Sequence, residues 1–191
     1  MSVDQSWARI TAWLDANATQ SARLPAPPAS PALLNQTMSR FPVAWPGDLV
    51  RFYQLHDGAY SGQMWSGILP GWDLLSLDAM ISTMEMYAEI FPDPSTAAVE
   101  AGETAFDFLP SFVPIAEDGT GCTLFVDTRP GDRFGCVTGF MHADADTYGP
   151  IWESVEAMLD DVADALEHGR PSGGWQPTVE DNALTWEPAY D

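Results

Sequence analysis

Three apolar runs separated by short turns constrain the fold of this chain more than any other feature of its sequence. The runs cover residues 112–116, 122–128 and 136–142, and each is typical of a β-strand. Asp118-Gly119-Thr120-Gly121 separates the first two, and Pro130-Gly131-Asp132 separates the last two. The sequence therefore predicts three short strands, of which the last two form one antiparallel hairpin.

Apolar residues at helical spacing predict helices before and after these strands. Predicted helices cover 3–17, 31–40, 46–58, a stretch that Ser76 caps, and 150–168. Ser2 and Gln5 match a capping box, and Ser30 with Pro31 matches a helix start. We expect short strands over 60–75 and a long loop over 92–111. Helices and strands do not alternate strictly, so the prediction is an α+β fold rather than a doubly wound one.

The charge balance excludes several function classes. The chain has 191 residues with 28 acidic residues, seven arginines and no lysine, for a net charge of −21. Without lysine there is no Schiff-base lysine and no phosphate-loop lysine. The shortage of cations also argues against a nucleic-acid footprint or a polybasic membrane patch. We therefore expect a protein partner, with no nucleic acid and no membrane.

The acidic residues are unevenly distributed along the chain. Residues 1–72 contain four acids and four arginines, whereas the rest contains 24 acids and three arginines. Uniform adaptation to high salt would not produce this asymmetry. The pattern favours an acidic surface that attracts a basic partner.

The last predicted helix carries a stripe of carboxylates beside its apolar face. The stripe consists of Glu153, Glu156, Asp160, Asp164 and Glu167, with Asp161 next to it. No lysine or arginine lies between residues 134 and 169 to relieve the repulsion between neighbouring turns. One interpretation is a solvated helix face. The other makes these six acids the candidate partner-binding residues.

Catalytic and metal-binding templates mostly fail on this sequence. It contains no HExxH, CxxC, GxGxxG or GxSxG motif. His142, Asp144 and Asp146 alternate in one loop, which suits either a solvated loop or a hard cation, but their spacing matches no ligand loop. His56 and His168 stand where helix carbonyls end, so we interpret both as helix caps. We expect no enzyme, no cofactor and no metal site.

Compartment signals point to the cytoplasm. The N-terminus has no basic segment followed by an apolar run, and no stretch approaches 18 apolar residues. In the predicted hairpin Cys136 lies opposite about residue 128 and Cys122 opposite about 142. That separation of about 20 Å is too long for a disulfide. Free thiols are typical of the cytoplasm.

The order of the motifs resembles a known family. His56-Asp57-Gly58 follows an amphipathic helix, and a Leu-Pro-Gly-Trp segment ends at Trp72. One predicted strand then leads into the turn with Asp118, Gly119 and Gly121, and the next predicted strand contains Asp127. A closing helix completes the set. This arrangement is similar to the SUKH superfamily, and within it to cell-wall-assembly regulators of the Smi/Knr type, over about residues 5–170.

The resemblance carries expectations about fold and function. It implies a central, largely antiparallel sheet with packed helices and no catalytic residues, in a domain over 1–170. We expect the tail over 171–191 to dock on that domain through strand-like runs at 177–181 and 183–187. Bacterial members are associated with toxin systems as immunity proteins, and fungal relatives regulate cell-wall assembly through protein contacts. The resemblance thus implies an immunity protein that occludes a basic toxin surface, with a regulatory adaptor as the alternative.

Overall fold

The computed structural model describes residues 1–59, 67–94, 100–141, 146–147 and 149–189. The helices are α1 (Val3–Asn17), α2 (Pro31–Met38), α3 (Gly47–Leu55), α4 (Leu77–Ile90) and α5 (Val155–His168), with a 3-10 turn at Ser21–Arg23. The strands are β1 (Asp73–Leu74), β2 (Phe112–Glu117), β3 (Cys122–Asp127), β4 (Val137–Met141), β5 (Asp146–Thr147), β6 (Trp175–Glu180) and β7 (Ala183–Pro188). The predicted α+β fold is confirmed.

An antiparallel sheet in the order β1-β2-β3-β4-β5 forms the centre of the protein. Cys122 lies opposite Met141, one residue from the expected register. Both cysteines are free thiols, as predicted. The hairpin prediction is therefore confirmed along with the absence of a disulfide.

Both faces of the sheet are buried, which explains why its strands are almost continuously apolar. On one face Val113, Ile115, Leu124 and Val126 belong to the main core, where helices α1, α3 and α5 also pack. On the other face lies an aromatic cluster formed by Tyr87, Phe108, Phe112, Phe125 and Phe140. Phe112 stacks on Phe125 with ring centroids 4.0 Å apart.

Local capping signals set the helix starts. Both hydrogen bonds of the Ser2–Gln5 capping box form, and the side chains of Ser30 and Ser76 each accept a backbone N–H in the first turn. These starts are confirmed because they depend only on residues a few positions apart. The third helix ends at Leu55, three residues before Gly58, where we expected it to close.

The predicted start of the last helix is wrong. The helix begins at Val155, with Ser154 as its N-cap, instead of at residue 150. The backbone N–H and C=O of Trp152 bond to Val137 on β4, so this residue cannot continue the helical ladder. Trp152 and Glu153 therefore precede the helix, and Glu153 does not belong to the acidic helix face.

The tail forms a hairpin whose β7 side chains enter the core. Asp181 and Asn182 both have positive φ, as a two-residue turn of this kind requires. Leu184 and Trp186 are buried. The backbone N–H of Leu184 donates to Ser21 Oγ, and Trp186 Nε1 donates to the Gly67 carbonyl at 3.1 Å. Each strand has six residues, one more than its predicted run, and β6 begins two residues earlier than predicted.

Two predicted regions are only partly described. Within 67–75 the structure contains the short strand β1, while 60–66 lies outside the described residues. Residues 100–111 form neither helix nor strand, as expected for that part of the 92–111 loop. None of the helices in the described part of the chain is long and apolar enough to cross a membrane.

Candidate interaction surface

The acidic stripe of α5 meets a single arginine from α1. Arg9 hydrogen-bonds Asp160 at 2.9 Å, Asp164 at 2.5 Å and Glu167 at 2.5 and 3.0 Å. Arg170, just beyond the helix, binds the second oxygen of Asp164 at 2.5 Å. The positive charge that offsets the repulsion between the α5 carboxylates therefore comes from α1, about 150 residues away in the chain.

The remaining stripe residues have different surroundings. Asp161 accepts hydrogen bonds from Trp152 Nε1 at 3.0 Å and Ser172 Oγ at 2.6 Å, so it ties the helix to the chain on either side. Glu156 lies 3.8 Å from the N-terminal amine. Glu153 is exposed before the helix and forms no ion pair with a described residue. The six candidate residues thus do not form one uniform, unpaired surface.

We expect Arg9→Gln to lower the free energy of unfolding at neutral pH by about 1–2 kcal/mol, since three carboxylates lose one shared cation. Hydrogen bonds from Arg9 lower the pKa values of Asp164 and Glu167 in the folded state. Depressed carboxyl pKa values contribute stability above their unfolded values, which is lost as pH falls through the folded ones. The difference between parent and variant therefore shrinks below about pH 4.

Urea unfolding at pH 7 and pH 3 measures this change. Arg23→Gln is the matched control, because Arg23 is exposed and forms no ion pair with any described residue. The control is expected to stay within about 0.5 kcal/mol of the parent. An equal loss for Arg9→Gln at both pH values would contradict the ion-pair explanation.

Asp127 is the last residue of β3, and its buried carboxylate binds residues of two connecting segments. Its carboxylate accepts bonds from the Arg129 backbone at 3.0 Å and guanidinium at 2.7 to 3.2 Å, and from the Gly102 N–H at 2.8 Å. Arg129 also donates to the Glu103 carbonyl and lies 5.0 Å from the Phe112 ring centroid. Sequence reasoning selected Asp127 and missed Arg129, although the short spacing was a usable signal.

The turn after β2 is held by Asp118. Its carboxylate accepts the N–H groups of Thr120 at 2.8 Å and Cys122 at 2.9 Å. Burial acts to raise the pKa of Asp118, but the hydrogen bond from the Thr120 hydroxyl and these backbone N–H groups outweigh it and hold the pKa below its usual value. Gly119 and Gly121 have φ of 72° and 109°, a backbone conformation that glycine adopts without a steric penalty.

Gly58 and Trp72 occupy the region between α3 and α4. A Cβ on Gly58 would lie 2.6 Å from the Ser76 N and 2.7 Å from the Leu75 carbonyl carbon, so only glycine fits there. Trp72 is half-buried, and its N–H donates to the Leu69 carbonyl. Gly58 therefore lets the end of the α3 region pack against the start of α4, whereas the Trp72 backbone closes a local turn with Leu69.

The two helix-end histidines differ from each other. His168 Nδ1 lies 3.0 Å from the Asp164 carbonyl, as expected for a cap. The His56 ring does not cap α3: it is buried, stacked 4.0 Å from Trp7, and neither nitrogen has a hydrogen-bond partner among the described residues. Burial lowers the pKa of His56 to about 3, so the ring is neutral at physiological pH. His56 does cap α3 through its backbone N–H, which donates to the Phe52 carbonyl, but its aromatic neighbours bury the ring away from the helix carbonyls.

The candidate cation loop is not covered by this structure. His142, Asp144 and the Asp146 side chain lie outside the described residues. Elsewhere Asp164, Glu167 and His168 place possible ligand atoms within 4.8 Å of one another. Arg9 already binds both of these carboxylates, so this cluster is a salt-bridge network.

Comparison with known proteins identifies the family. Residues 28–161, more than half of the chain, match the model of the SMI1/KNR4 family (SUKH-1). A Schizosaccharomyces pombe protein described as "Cell wall biosynthesis/cell cycle regulator smi1" is 26% identical over 200 residues, which cover 95% of this chain and 39% of the relative. The chain thus spans well under half of that relative's length. On the strength of the family match, the chain belongs to the SMI1/KNR4 (SUKH-1) family.

Proposed function

We propose that this chain is a non-catalytic binding protein, an immunity protein that neutralises a toxin by covering its basic surface. The observation that carries this proposal is the charge left over after folding. Ion pairs between described residues engage five of the seven arginines but only seven carboxylates. The sequence contains 28 acidic residues, so the folded surface stays strongly acidic.

An acidic surface suits occlusion of a basic site. Opposite charges steer two proteins together and raise the association rate, and salt screens that attraction. Covering a cleft that itself binds an anionic substrate requires no chemistry from the inhibitor. The proposed partner is therefore a basic protein domain, and the free thiols support a cytoplasmic location.

A regulatory adaptor is the second candidate. Its support is the family membership together with the fungal relative whose printed description names cell-wall biosynthesis and cell-cycle regulation. If the chain is an adaptor, the same acidic surface binds a regulatory protein in the absence of any toxin.

An experiment with the gene that lies next to the one encoding this chain distinguishes the two functions. A host is made to express that adjacent gene, and its growth is measured. We expect induction of the adjacent product alone to arrest growth, and co-expression of this chain to restore it. A frameshifted copy of this gene is the matched control, because it retains the transcript and loses the protein. For the purified pair, we expect the association rate to fall steeply as salt rises.

Two outcomes would overturn the immunity function. One is growth arrest that this chain does not relieve. The other is an adjacent product that is harmless, which leaves the adaptor function in its place.

A further inference from the structure

Three connecting segments meet at the end of the sheet where β3 leads into β4. They are residues 100–107, 130–134 and 150–153, and their exposed side chains are called the turn surface below. The Ala101 N–H donates to the Pro130 carbonyl at 2.9 Å. A Cβ on Gly102 would lie 2.7 Å from Arg133 Cδ and 3.0 Å from Pro150 Cγ. The three segments are therefore packed against one another.

The turn surface exposes large apolar side chains. Phe106 is 70% exposed, Phe134 45% and Ile151 37%. Single exposed apolar residues are ordinary, but aromatic residues grouped with a polar rim are typical of protein interfaces. Each of the three segments contributes one of these side chains.

The backbone beneath these side chains is held in place. Ala105, next to Phe106, donates its N–H to Thr147 Oγ1 at 3.0 Å. The Phe134 N–H donates to the Gly131 carbonyl, and the Ile151 N–H to the Val137 carbonyl. Anchors with a preset backbone lose little conformational entropy on binding, which favours affinity.

A cleft of about 510 Å³ opens between two of the segments. Pro150, Ile151 and Trp152 supply apolar lining, while Asp132, Arg133 and Glu153 supply charged groups. Long basic side chains bury their aliphatic stems on apolar surface and keep the charged end near carboxylates. The cleft has the size and chemistry to take such a side chain.

The charge of the turn surface is available to a partner, unlike that of α5. Exposed Glu100, Glu103, Asp132 and Glu153 form no ion pair with a described residue, and the exposed Arg133 lines the cleft beside Asp132 and Glu153. On α5, Asp160, Asp164 and Glu167 already bind Arg9. Carboxylates that are unpaired in the free protein gain more from a new cation than those that are already paired.

We propose that the turn surface docks the basic partner, and that the cleft between 130–134 and 150–153 receives a lysine or arginine side chain from it. This inference rests on the proposed function and names the surface that performs it. Phe106 and Phe134 contact apolar parts of the partner, while the surrounding carboxylates select for its positive charge.

Two double variants of the full chain test the turn surface, with the purified adjacent gene product as the probe. Asp132→Lys/Glu153→Lys reverses the rim charge, and Phe106→Ala/Phe134→Ala truncates the aromatic anchors. We expect each to weaken binding at least about tenfold. The loss from charge reversal is largest at low salt, whereas the loss from truncation is nearly independent of salt.

Two matched controls make the same chemical changes elsewhere. Glu180→Lys/Glu187→Lys reverses two exposed carboxylates on the β6–β7 hairpin, and Met86→Ala/Ile90→Ala truncates two exposed apolar side chains on α4. We expect both controls to bind like the parent. Thermal unfolding of every variant establishes that the substituted chains are folded.

The outcomes separate this inference from the proposed function. Parent-level binding by both turn-surface variants, with a loss only for Glu156→Lys on α5, would overturn the turn surface and leave the proposed function standing. Failure of the parent chain to bind or neutralise the adjacent product would overturn the proposed function itself.

Discussion

Replacing Asp127 with asparagine is expected to lower the free energy of unfolding by about 3–5 kcal/mol, because the buried Arg129 guanidinium loses its counter-charge. Asp127 is completely buried, and Arg129 is nearly so. Desolvating a cation is tolerable only when a carboxylate or several hydrogen bonds replace the lost water. Urea unfolding followed by circular dichroism measures the change.

A second substitution tests the cause of that loss. In Asp127→Asn/Arg129→Met the unpaired buried charge is gone, so we expect the double variant to be more stable than Asp127→Asn alone. Asp132→Asn, an exposed acid in the following turn, is the matched control and is expected to change stability by less than about 0.5 kcal/mol. A loss under about 1 kcal/mol for Asp127→Asn would contradict the importance of the buried pair.

Trp186→Ala is expected to lower the free energy of unfolding by about 3–5 kcal/mol, the usual range for deleting a buried aromatic side chain. Trp186 belongs to the main core and also donates a hydrogen bond to the Gly67 carbonyl. Its removal leaves a cavity between the tail and the central part of the chain. Loss of the tail hairpin's protection from hydrogen exchange is expected to accompany the loss of stability.

Two further substitutions separate packing from hydrogen bonding. Trp186→Phe keeps most of the buried ring and loses the indole N–H, so we expect a loss of about 1–2 kcal/mol. Val179→Ala, an exposed position on the partner strand, is the control and is expected to have little effect. If Trp186→Ala were as mild as this control, the tail would not be part of the cooperative core.

Much of the fold follows from short-range signals in the sequence. The capping box at Ser2 and the turn at Asp118 each depend on residues within four positions of one another. Such hydrogen bonds form wherever the backbone takes the required conformation, so the sequence pattern predicts them directly. The hairpin between β3 and β4 was predictable because two apolar runs that follow each other in the chain flank a Pro-Gly turn.

The candidate site was less predictable, because its charges are paired across the tertiary structure. Along the sequence, the acids of α5 have no nearby cation and look available to a partner. In the folded protein the Arg9 guanidinium donates hydrogen bonds to three of these acids. The side chains of Trp152 and Ser172 donate hydrogen bonds to a fourth, Asp161. A helical period shows which residues share a face, but it cannot show which residue of another helix will cover that face.

His56 is a second residue whose surroundings depend on a distant part of the chain. Its position at the end of α3 indicates a cap, and its backbone does end the helix. The ring instead stacks on Trp7, which lies on α1. Burial against an aromatic partner outweighs the weak attraction of a half-exposed imidazole to helix carbonyls.

The α+β class, the antiparallel hairpin, the free cysteines and the excess of acid are all predictable from the sequence, since each follows from composition or from segments that are close in the chain. Which carboxylates remain unpaired is not predictable in this way, because it depends on where the fold places distant arginines. Arg9 neutralises much of α5, while the turns around Asp132 and Glu153 keep their charge. The number of charges is a property of the chain, but their availability is a property of the fold.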